Sequence, residues 1–448
     1  MTTLRAVQPT PLAESLARLE GLVSPYTGLV REVGELLSAP GDTRLIRLAC
    51  RLANLGVLTG VDVDLRPGGY AAGRELARAA ALGEAAERYS ACSVPEAEIV
   101  LAPASELGRE AVAPERFALF RGDQYARPDF PFRRFTSSTP VRWIRGFSLP
   151  DGSPAWLPLQ LVCLARAGPA APEEERIGYT TSSGAACAAS LEEALLRGLL
   201  ELVERDAFCL VWYNRLSLPL LDIGREPELV AHARRYFEPA GTRFGGVDLS
   251  SFLGVPTVLG VVRGVPPDAG PLGLGAASAT TAAEAWRRAL AEAFAVHAWV
   301  RSVRLSGAEP QYRPDFADIV TFDDHLLFYS TYEHAALTEF LDAGSARVTI
   351  ADVPPLEGAH ALGWLETLCA RLEEQGSCAY AVDITSPDIR RAGLHVVKVV
   401  APELCPLDVA YEGRFLGGRR LYEAAFHVGL RAGPLEPDDV NPHPHPFP

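Results

Sequence analysis

The spacing of apolar residues predicts a chain that mixes helices and strands. Apolar positions with helical spacing predict helices over about 190–209 and 281–301. A continuous apolar run over 254–265 predicts a strand, and an Ala-rich stretch that follows a glycine turn at Pro67-Gly68-Gly69 predicts another long helix. We therefore expect an α+β fold of mixed sheets and helices.

The rest of the chain shows no obvious linker between domains. Residues 1–60 are expected to alternate short amphipathic helices with Pro/Gly breaks, and residues 96–178 to form mostly strands and loops. We predict an N-terminal extension over 1–60, one intertwined body over 61–440 that begins with a strand, and a Pro-rich tail over 441–448.

Three of the predicted helices share one sequence template. The pattern E-A-x-x-R-x-L-x-E occurs at 193–201 and again at 284–292. The pattern E-x-x-E-R occurs at 84–88 and again at 201–205. Because the middle segment matches both others, an internally repeated helical template is indicated.

On a helical wheel, the polar residues of the middle helix form one stripe. Glu193, Arg197, Glu201 and Glu204 fall within an arc of roughly 80°, and Arg205 lies about 40° beyond it. One interpretation is a solvated helix face stabilised by pairs at i and i+4. The other is a binding site, which the threefold use of the same spacing favours.

Helix capping can explain some of these glutamates but not the others. Ser190 and Thr281 each stand three residues before a glutamate, as in a capping box, so Glu284 is expected to cap its helix and Glu193 could cap or bind. Capping cannot explain the mid-helix glutamates, which are Glu84, Glu87, Glu201 and Glu204.

Paired glutamates and neighbouring arginines suit a metal–nucleotide site. Like charges at i and i+3 repel each other mildly, and a divalent cation between them would reverse that effect. Carboxylate oxygens suit Mg²⁺, and guanidinium groups suit phosphate oxygens. Ser182-Ser183-Gly184 could lend hydroxyls and amides to a phosphate, although a plain turn is equally compatible, and Gly273–Ser278 is interpreted as a turn. The candidate arginines are Arg88, Arg197, Arg205 and Arg288, with Glu292 beside the last of them.

Composition excludes several classes of protein. Lys398 is the single lysine, so no Gly-rich loop ends in Lys-Ser or Lys-Thr and P-loop nucleotide chemistry is excluded. The formal net charge of −14 argues against nucleic acid as the main partner. No apolar run is long enough for a membrane span and no signal peptide is evident, so we expect a cytoplasmic protein. None of the eight cysteines forms a C-x-x-C pair, which predicts buried free thiols.

Together these motifs resemble the YcaO family. The resemblance rests on Ala81–Arg88, Ser183–Ala186, Leu191–Leu216, Arg288–Glu292 and Ala381–Asp388, and it extends from about residue 60 to the end. The tail Asn441–Pro448 ends in P-x-P-x-P and resembles the azoline-forming branch. Departures are Tyr70 and Ala80, where the family often has Lys and Ser.

The resemblance implies an ATP-dependent cyclodehydratase that acts on Cys, Ser or Thr residues of a ribosomal precursor peptide. It places ATP and Mg²⁺ among the residues identified above, with the metal on Glu84, Glu87, Glu201 and Glu204. Other nucleophiles, giving thioamides or amidines, and a non-catalytic scaffold remain open. The nucleotide-binding residues so implied are Glu84, Glu87, Arg88, Ser183, Glu193, Arg197, Glu201, Glu204, Arg205, Arg288 and Glu292.

Two further expectations concern the peptide substrate. About 60 residues precede the matched region, too few for a peptide clamp and an E1-like domain, so we expect a separate E1-like (ThiF-like) partner that captures the leader peptide. A homodimer is also possible. The stiff tail is expected to bring the carboxylate of Pro448 to the reacting amide as a general base.

Overall fold

The computed structural model describes residues 4–59, 67–93, 99–164, 173–265, 270–307 and 310–447. The α+β class is confirmed. The chain divides into two compact units, one formed by Met1–Leu37, Ile46–Leu202 and Glu357–Leu404, the other by Ser38–Leu45, Val203–Leu356 and Cys405–Pro448. The domain bounds expected at residues 60 and 440 stay predictions.

Helices and strands occur in both units. The helices are α1 (Leu12–Glu20), α2 (Leu55–Thr59), α3 (Arg74–Ala91), α4 (Ala104–Leu107), α5 (Gly122–Tyr125), α6 (Leu191–Asn214), α7 (Pro227–His232), α8 (Ala282–Leu305), α9 (Phe322–Phe328), α10 (Tyr332–Ala336), α11 (Ala361–Glu374), α12 (Pro387–Arg391) and α13 (Arg419–His427). The strands are β1 (Val30–Glu35), β2 (Ile46–Leu52), β3 (Gly68–Ala71), β4 (Ile99–Ala102), β5 (Val141–Ser148), β6 (Pro154–Pro158), β7 (Ala185–Ala188), β8 (Leu220–Asp222), β9 (Arg243–Asp248), β10 (Thr257–Arg263), β11 (Leu272–Ser278), β12 (Arg347–Thr349), β13 (Tyr380–Asp383) and β14 (His395–Val400).

The first unit contains two antiparallel sheets. One has the order β1-β2-β3, and the other has the order β4-β5-β13-β14-β7, with β6 paired to β5. Helix α3 packs against β2 and β3 of one sheet and against β7 and β14 of the other. Its alanines at 77, 81, 85 and 86 are fully buried, so the small face of α3 lies in the core and the glutamates stand on another face.

The second unit contains one sheet with the order β11-β10-β9-β8-β12. Every residue of β10 and β11 is buried, which agrees with the apolar run over 254–265 that predicts β10. Helix α8 packs on these two strands. Thr281 caps α8 by accepting a hydrogen bond from the backbone N–H of Glu284, as the sequence predicts.

Glycines in strands allow the two long helices to approach their sheets closely. A Cβ atom on Gly69 would lie 1.8 Å from the carbonyl oxygen of Ala77, and one on Gly275 would lie 2.5 Å from the amide of Ala293. The predicted turns at Gly68-Gly69 and at Gly273–Ser278 are therefore wrong, because these glycines belong to β3 and β11.

Other elements differ from the predictions in smaller ways. The segment before residue 60 contains strands β1 and β2 as well as helices, and the strand expected just after residue 60 lies outside the described residues. Helix α6 continues to Asn214, where Arg215 with a φ of 52° ends it.

Two predictions from composition, on the cysteines and on membrane spans, can be compared with the structure. All eight cysteines are free thiols, and seven of them are buried, as predicted. Among the described residues, the helices are all too short or too polar to cross a membrane.

Candidate functional site

An acidic cluster lies in the first unit, formed by Glu84 and Glu87 of α3 and Glu201 of α6. Glu84 accepts hydrogen bonds from the backbone N–H of Gly68 at 2.9 Å and from Arg88 at 3.2 Å. Glu87 is mostly enclosed, with 18% of its side chain exposed, and Arg88 lies 4.0 Å from its carboxylate. Burial, followed by the negative charges of Glu201 and Glu84, raises the pKa of Glu87 well above its ordinary value.

The Lys398 ammonium group belongs to the same cluster. Lys398 lies on β14, is 3% exposed, and donates to the carbonyl oxygens of Thr181 at 2.7 Å and Ser183 at 2.6 Å. Burial lowers its pKa to about 8, against the opposing effect of Glu201 and Glu87. The sequence indicated only that this single lysine excludes a P-loop, and gave it no place in the site. A single lysine within a strand of valines was the signal that could have identified it.

The loop before α6 is held between this lysine and Glu201. Glu201 accepts a hydrogen bond from the backbone N–H of Gly184 at 3.2 Å. Gly184 has a φ of 81°, and a Cβ atom there would lie 2.4 Å from the carbonyl oxygen of Val399. The Ser183 hydroxyl accepts from the Thr181 hydroxyl at 3.0 Å. The loop is therefore more constrained than a plain turn, and its glycine is required by both conformation and space.

A second cluster of charged residues lies in the second unit. Glu204 of α6 accepts from the backbone N–H of Ser278 at 3.3 Å and pairs with Arg205 at 2.9 Å. Both side chains are mostly buried, with 7% of Glu204 and 13% of Arg205 exposed. The Arg205 guanidinium lies 4.6 Å from the centre of the Phe447 ring, which is fully buried.

Helix α8 contributes the remaining charged groups of the second unit. Glu292 accepts a hydrogen bond from the backbone N–H of Ala276 at 3.1 Å. Arg288 lies 3.5 Å from the carbonyl oxygen of Ser278 and 3.9 Å from Glu284. Arg288 is about half exposed, so its guanidinium is accessible to a soluble anion.

The structure places Glu193 and Arg197 in other surroundings. Glu193 is 8% exposed and accepts hydrogen bonds from the backbone N–H of Thr10 at 2.6 Å and from its hydroxyl at 3.0 Å. Arg197 donates to the carbonyl oxygen of Cys187 at 3.4 Å. Their assignment to the nucleotide stays a prediction. Pro448, predicted to act as general base, lies outside the described residues.

The acidic cluster of the first unit has the chemistry that Mg²⁺ requires. Its carboxylates are hard oxygen donors. The charges of Glu87 and Glu201 repel each other in partly enclosed surroundings, and a divalent cation would remove that repulsion. Glu204 follows Glu201 by three residues in α6, so both stand on one face of that helix. The glutamates present thus fit a bound magnesium ion.

Comparisons with known proteins agree with this chemistry. The family model for YcaO cyclodehydratases, described as ATP- and Mg²⁺-binding, matches residues 68–405. A heterocyclase solved in complex with substrate and cofactor is 25% identical and aligns over 100% of this chain with a TM-score of 0.81. YcaO from Methanopyrus kandleri, bound with AMPPCP and Mg²⁺, is 22% identical over 88% of this chain and 91% of its own, with a TM-score of 0.61.

A sequence relative is found in Rhizobium leguminosarum bv. trifolii, a protein encoded in the tfuA 3′ region. It is 29% identical over 228 residues, which cover 47% of this chain. This chain spans 52% of the length of that protein and 59% of the length of the heterocyclase.

Proposed function

The chain belongs to the YcaO family, whose cofactors are ATP and Mg²⁺, and we propose that it catalyses ATP-dependent cyclodehydration of a ribosomal precursor peptide. The observation that carries the proposal is the convergence of Glu84, Glu87 and Glu201 on one partly enclosed place. Three carboxylates beside each other are unfavourable without a cation, and Mg²⁺ held there would bring the phosphates of ATP.

The reaction joins a side chain to the amide that precedes it. The Cys thiol, or a Ser or Thr hydroxyl, forms a bond to the amide carbonyl carbon and loses its proton. The former carbonyl oxygen attacks the γ-phosphorus of ATP, and ADP leaves. The amide nitrogen then loses its proton, a C=N bond forms, and phosphate leaves with the former amide oxygen. The product is a thiazoline or an oxazoline.

The residues of the chain have distinct roles in this proposal. The carboxylates of Glu84, Glu87, Glu201 and Glu204 hold the metal, which when bound neutralises phosphate charge. Arg88, Arg205 and Arg288 orient the phosphate oxygens through charge-assisted hydrogen bonds, and Glu292 is assigned to the nucleotide site beside Arg288. The Ser183 hydroxyl of the constrained loop accepts from Thr181 and can donate its own hydrogen to a phosphate oxygen.

Lys398 adds a role that the sequence did not suggest. Its ammonium group donates hydrogen bonds to the carbonyl oxygens of Thr181 and Ser183 in the loop before α6. It also offsets part of the negative charge of Glu87 and Glu201 before the metal binds. We assign it to maintaining the loop and the acidic cluster in one arrangement.

The peptide and its capture also belong to the proposal. We propose that a separate E1-like partner binds the leader peptide of the substrate. The terminal carboxylate of Pro448 as general base stays a prediction for that complex.

The test combines this chain, ATP, Mg²⁺ and a Cys- and Ser/Thr-rich peptide encoded beside its gene, with and without an E1-like protein encoded there. Mass spectrometry should show the loss of one water for each ring, with ADP formed in step. Replacement of oxygen by sulfur would identify thioamide formation instead. ADP formation that never depends on peptide, with unchanged peptide mass, would reject the proposal.

A further inference from the structure

The segment 441–447 is held by side-chain donors of the second unit. Four consecutive carbonyl groups of this segment each accept a hydrogen bond from a different side chain, so its backbone is fixed residue by residue. The bonds run from the Tyr411 hydroxyl to Pro442 at 2.6 Å, from the Trp212 indole to His443 at 3.3 Å, from the Tyr329 hydroxyl to Pro444 at 2.5 Å, and from the His325 ring to His445 at 2.8 Å.

His325 differs from the other donors because both of its ring nitrogens face carbonyl oxygens. Nδ1 lies 2.8 Å from the oxygen of His445, and Nε2 lies 2.8 Å from the oxygen of Val409. A carbonyl oxygen can only accept, so both nitrogens must carry hydrogen for both bonds to exist. Both bonds together therefore require that the fully buried His325 ring be an imidazolium.

Asp408 supplies the counter-charge. It is fully buried, and one of its oxygens accepts a hydrogen bond from the Tyr213 hydroxyl. Within the described part of the chain, its other oxygen has no hydrogen-bond partner. Asp408, His325 and His445 bring one polar atom each to within 4.8 Å of the others. The Asp408 carboxylate lies 3.7 Å from Nε2 of His445 and within 4.8 Å of a ring nitrogen of His325, so its negative charge would offset a positive charge on His325 in fully buried surroundings.

His445 completes the cluster as a neutral ring. Its Nε2 donates to the carbonyl oxygen of Asp408 at 2.8 Å, and its Nδ1 accepts from the backbone N–H of Phe447 at 3.2 Å. It stacks on His325 with ring centres 4.0 Å apart. Because backbone groups occupy the nitrogens of both rings, the cluster is not arranged as a metal site; the charges that pair are those of His325 and Asp408, with His445 as a neutral neighbour.

The charge pair is connected to the second-unit cluster through Phe447. The Phe447 ring lies 4.4 Å from the ring of Phe208 and under the guanidinium of Arg205, which pairs with Glu204. Any shift of the tail backbone at His445 would move Phe447 and so change the support of Arg205.

We propose that His325, as an imidazolium paired with Asp408, is a positioning residue that fixes the tail and through it sets Arg205 for phosphoryl transfer. The effect on Arg205 in phosphoryl transfer rests on the proposed function, whereas the charge pair and its hold on the tail do not. If either ring nitrogen of His325 lacked its hydrogen, the carbonyl group of His445 or of Val409 would lose its donor.

Burial and the neighbouring charges act on the pKa of Asp408 in opposite directions. Burial raises the pKa of Asp408, while the charge of His325, the hydroxyl of Tyr213 and the charge of Arg414 lower it. Burial and then His325 lower the pKa of His445 well below its ordinary value, with Arg205 acting in the same direction. On the helix of His325 itself, Asp324 is engaged in capping Thr321.

Two measurements test the charge pair and its hold on the tail without an activity assay. In ¹⁵N spectra of the full chain with labelled histidine, His325 should show two ring N–H groups at neutral pH, and Asp408→Asn should remove one. In His325→Gln, hydrogen exchange of the segment 441–447 should be about 10-fold to 10²-fold faster, as for loss of a hydrogen bond from a charged donor. His297→Gln is the matched control, since this buried histidine faces the carbonyl oxygen of Gly270 instead.

Kinetic measurements test whether His325 positions Arg205 for phosphoryl transfer. His325→Gln should lower kcat by up to about 10²-fold, the cost of a small misplacement, while the KM for ATP changes less. A single ring N–H on wild-type His325, or unchanged exchange of 441–447 in His325→Gln, overturns the charge pair. Faster exchange with an unchanged kcat overturns the positioning role. Absence of any activity in wild-type protein would reject the proposed function instead.

Discussion

Replacing Glu87 by Gln tests whether the acidic cluster is arranged for a cation. In metal-free protein, burial and the charges of Glu201 and Glu84 raise the pKa of Glu87 well above its ordinary value, so the folded state favours the neutral form. Because the folded pKa is raised, wild type should lose stability as pH rises through that pKa. Metal-free Glu87→Gln should be at least as stable as wild type and lack this loss.

The effects should reverse when the cofactors are added. A ligand at about 100 times its Kd stabilises the folded state by about 2.7 kcal/mol. For a unit of 150–250 residues this corresponds to about 2–4 °C in Tm per kcal/mol. Wild type should gain this stabilisation from Mg²⁺ with a non-hydrolysable ATP analogue, and Glu87→Gln should lose most of it. The loss of charge stabilisation should also lower ATP turnover by about 10²-fold or more.

Thermal unfolding with and without the cofactors, together with ADP release, measures these effects. Glu75→Gln is the matched control, because Glu75 is an exposed glutamate in the first turn of the same helix. It should unfold and turn over like wild type. If Glu87→Gln gains as much Tm from the cofactors as wild type does, the cluster does not hold the metal.

Four further variants, one of them a control, test other parts of the site and the fold. Glu204→Gln should lower turnover by about 10²-fold or more in an ADP-release assay, whereas the half-exposed Glu284→Gln should leave it unchanged; equal effects would contradict the site. Lys398→Met should destabilise the protein by about 1–3 kcal/mol for each of the two carbonyl groups left without a donor, measured by denaturant unfolding. Arg420→Met should cost about 3–5 kcal/mol, since it removes the positive charge beside the fully buried carboxylate of Asp206 and leaves it only the backbone N–H of Cys405; a cost near zero would show that water replaces the arginine.

The fold could be predicted where local patterns decide the structure. Helices α6 and α8 follow from their apolar spacing and from the residues at Ser190 and Thr281. The glycines of β3 and β11 could not be interpreted this way, because their role depends on a helix that packs against the strand. Gly275 looks like a turn residue in sequence, and only the closeness of α8 explains why glycine is required in a buried strand.

The candidate site shows the same limit. The repeated spacing identified Glu84, Glu87 and Glu201, because helix geometry places i and i+3 side chains together. It could not show that Lys398 lies beside them, since that lysine comes from a strand about two hundred residues further along the chain. The helical wheel also could not show that the Glu193 carboxylate accepts a hydrogen bond from Thr10. Sequence spacing determines what shares a helix face, but not what another segment brings to that face.

The most direct test follows the oxygen atom of the peptide amide. A precursor peptide with ¹⁸O in the carbonyl group before its cysteine should be incubated with this chain, the proposed E1-like partner, ATP and Mg²⁺, and the released phosphate analysed by ³¹P NMR. Attack of the amide oxygen on ATP predicts that one ¹⁸O appears in phosphate for each thiazoline formed. Ring formation with no ¹⁸O in phosphate would contradict attack of the amide oxygen on ATP, and with it the role assigned to the acidic cluster.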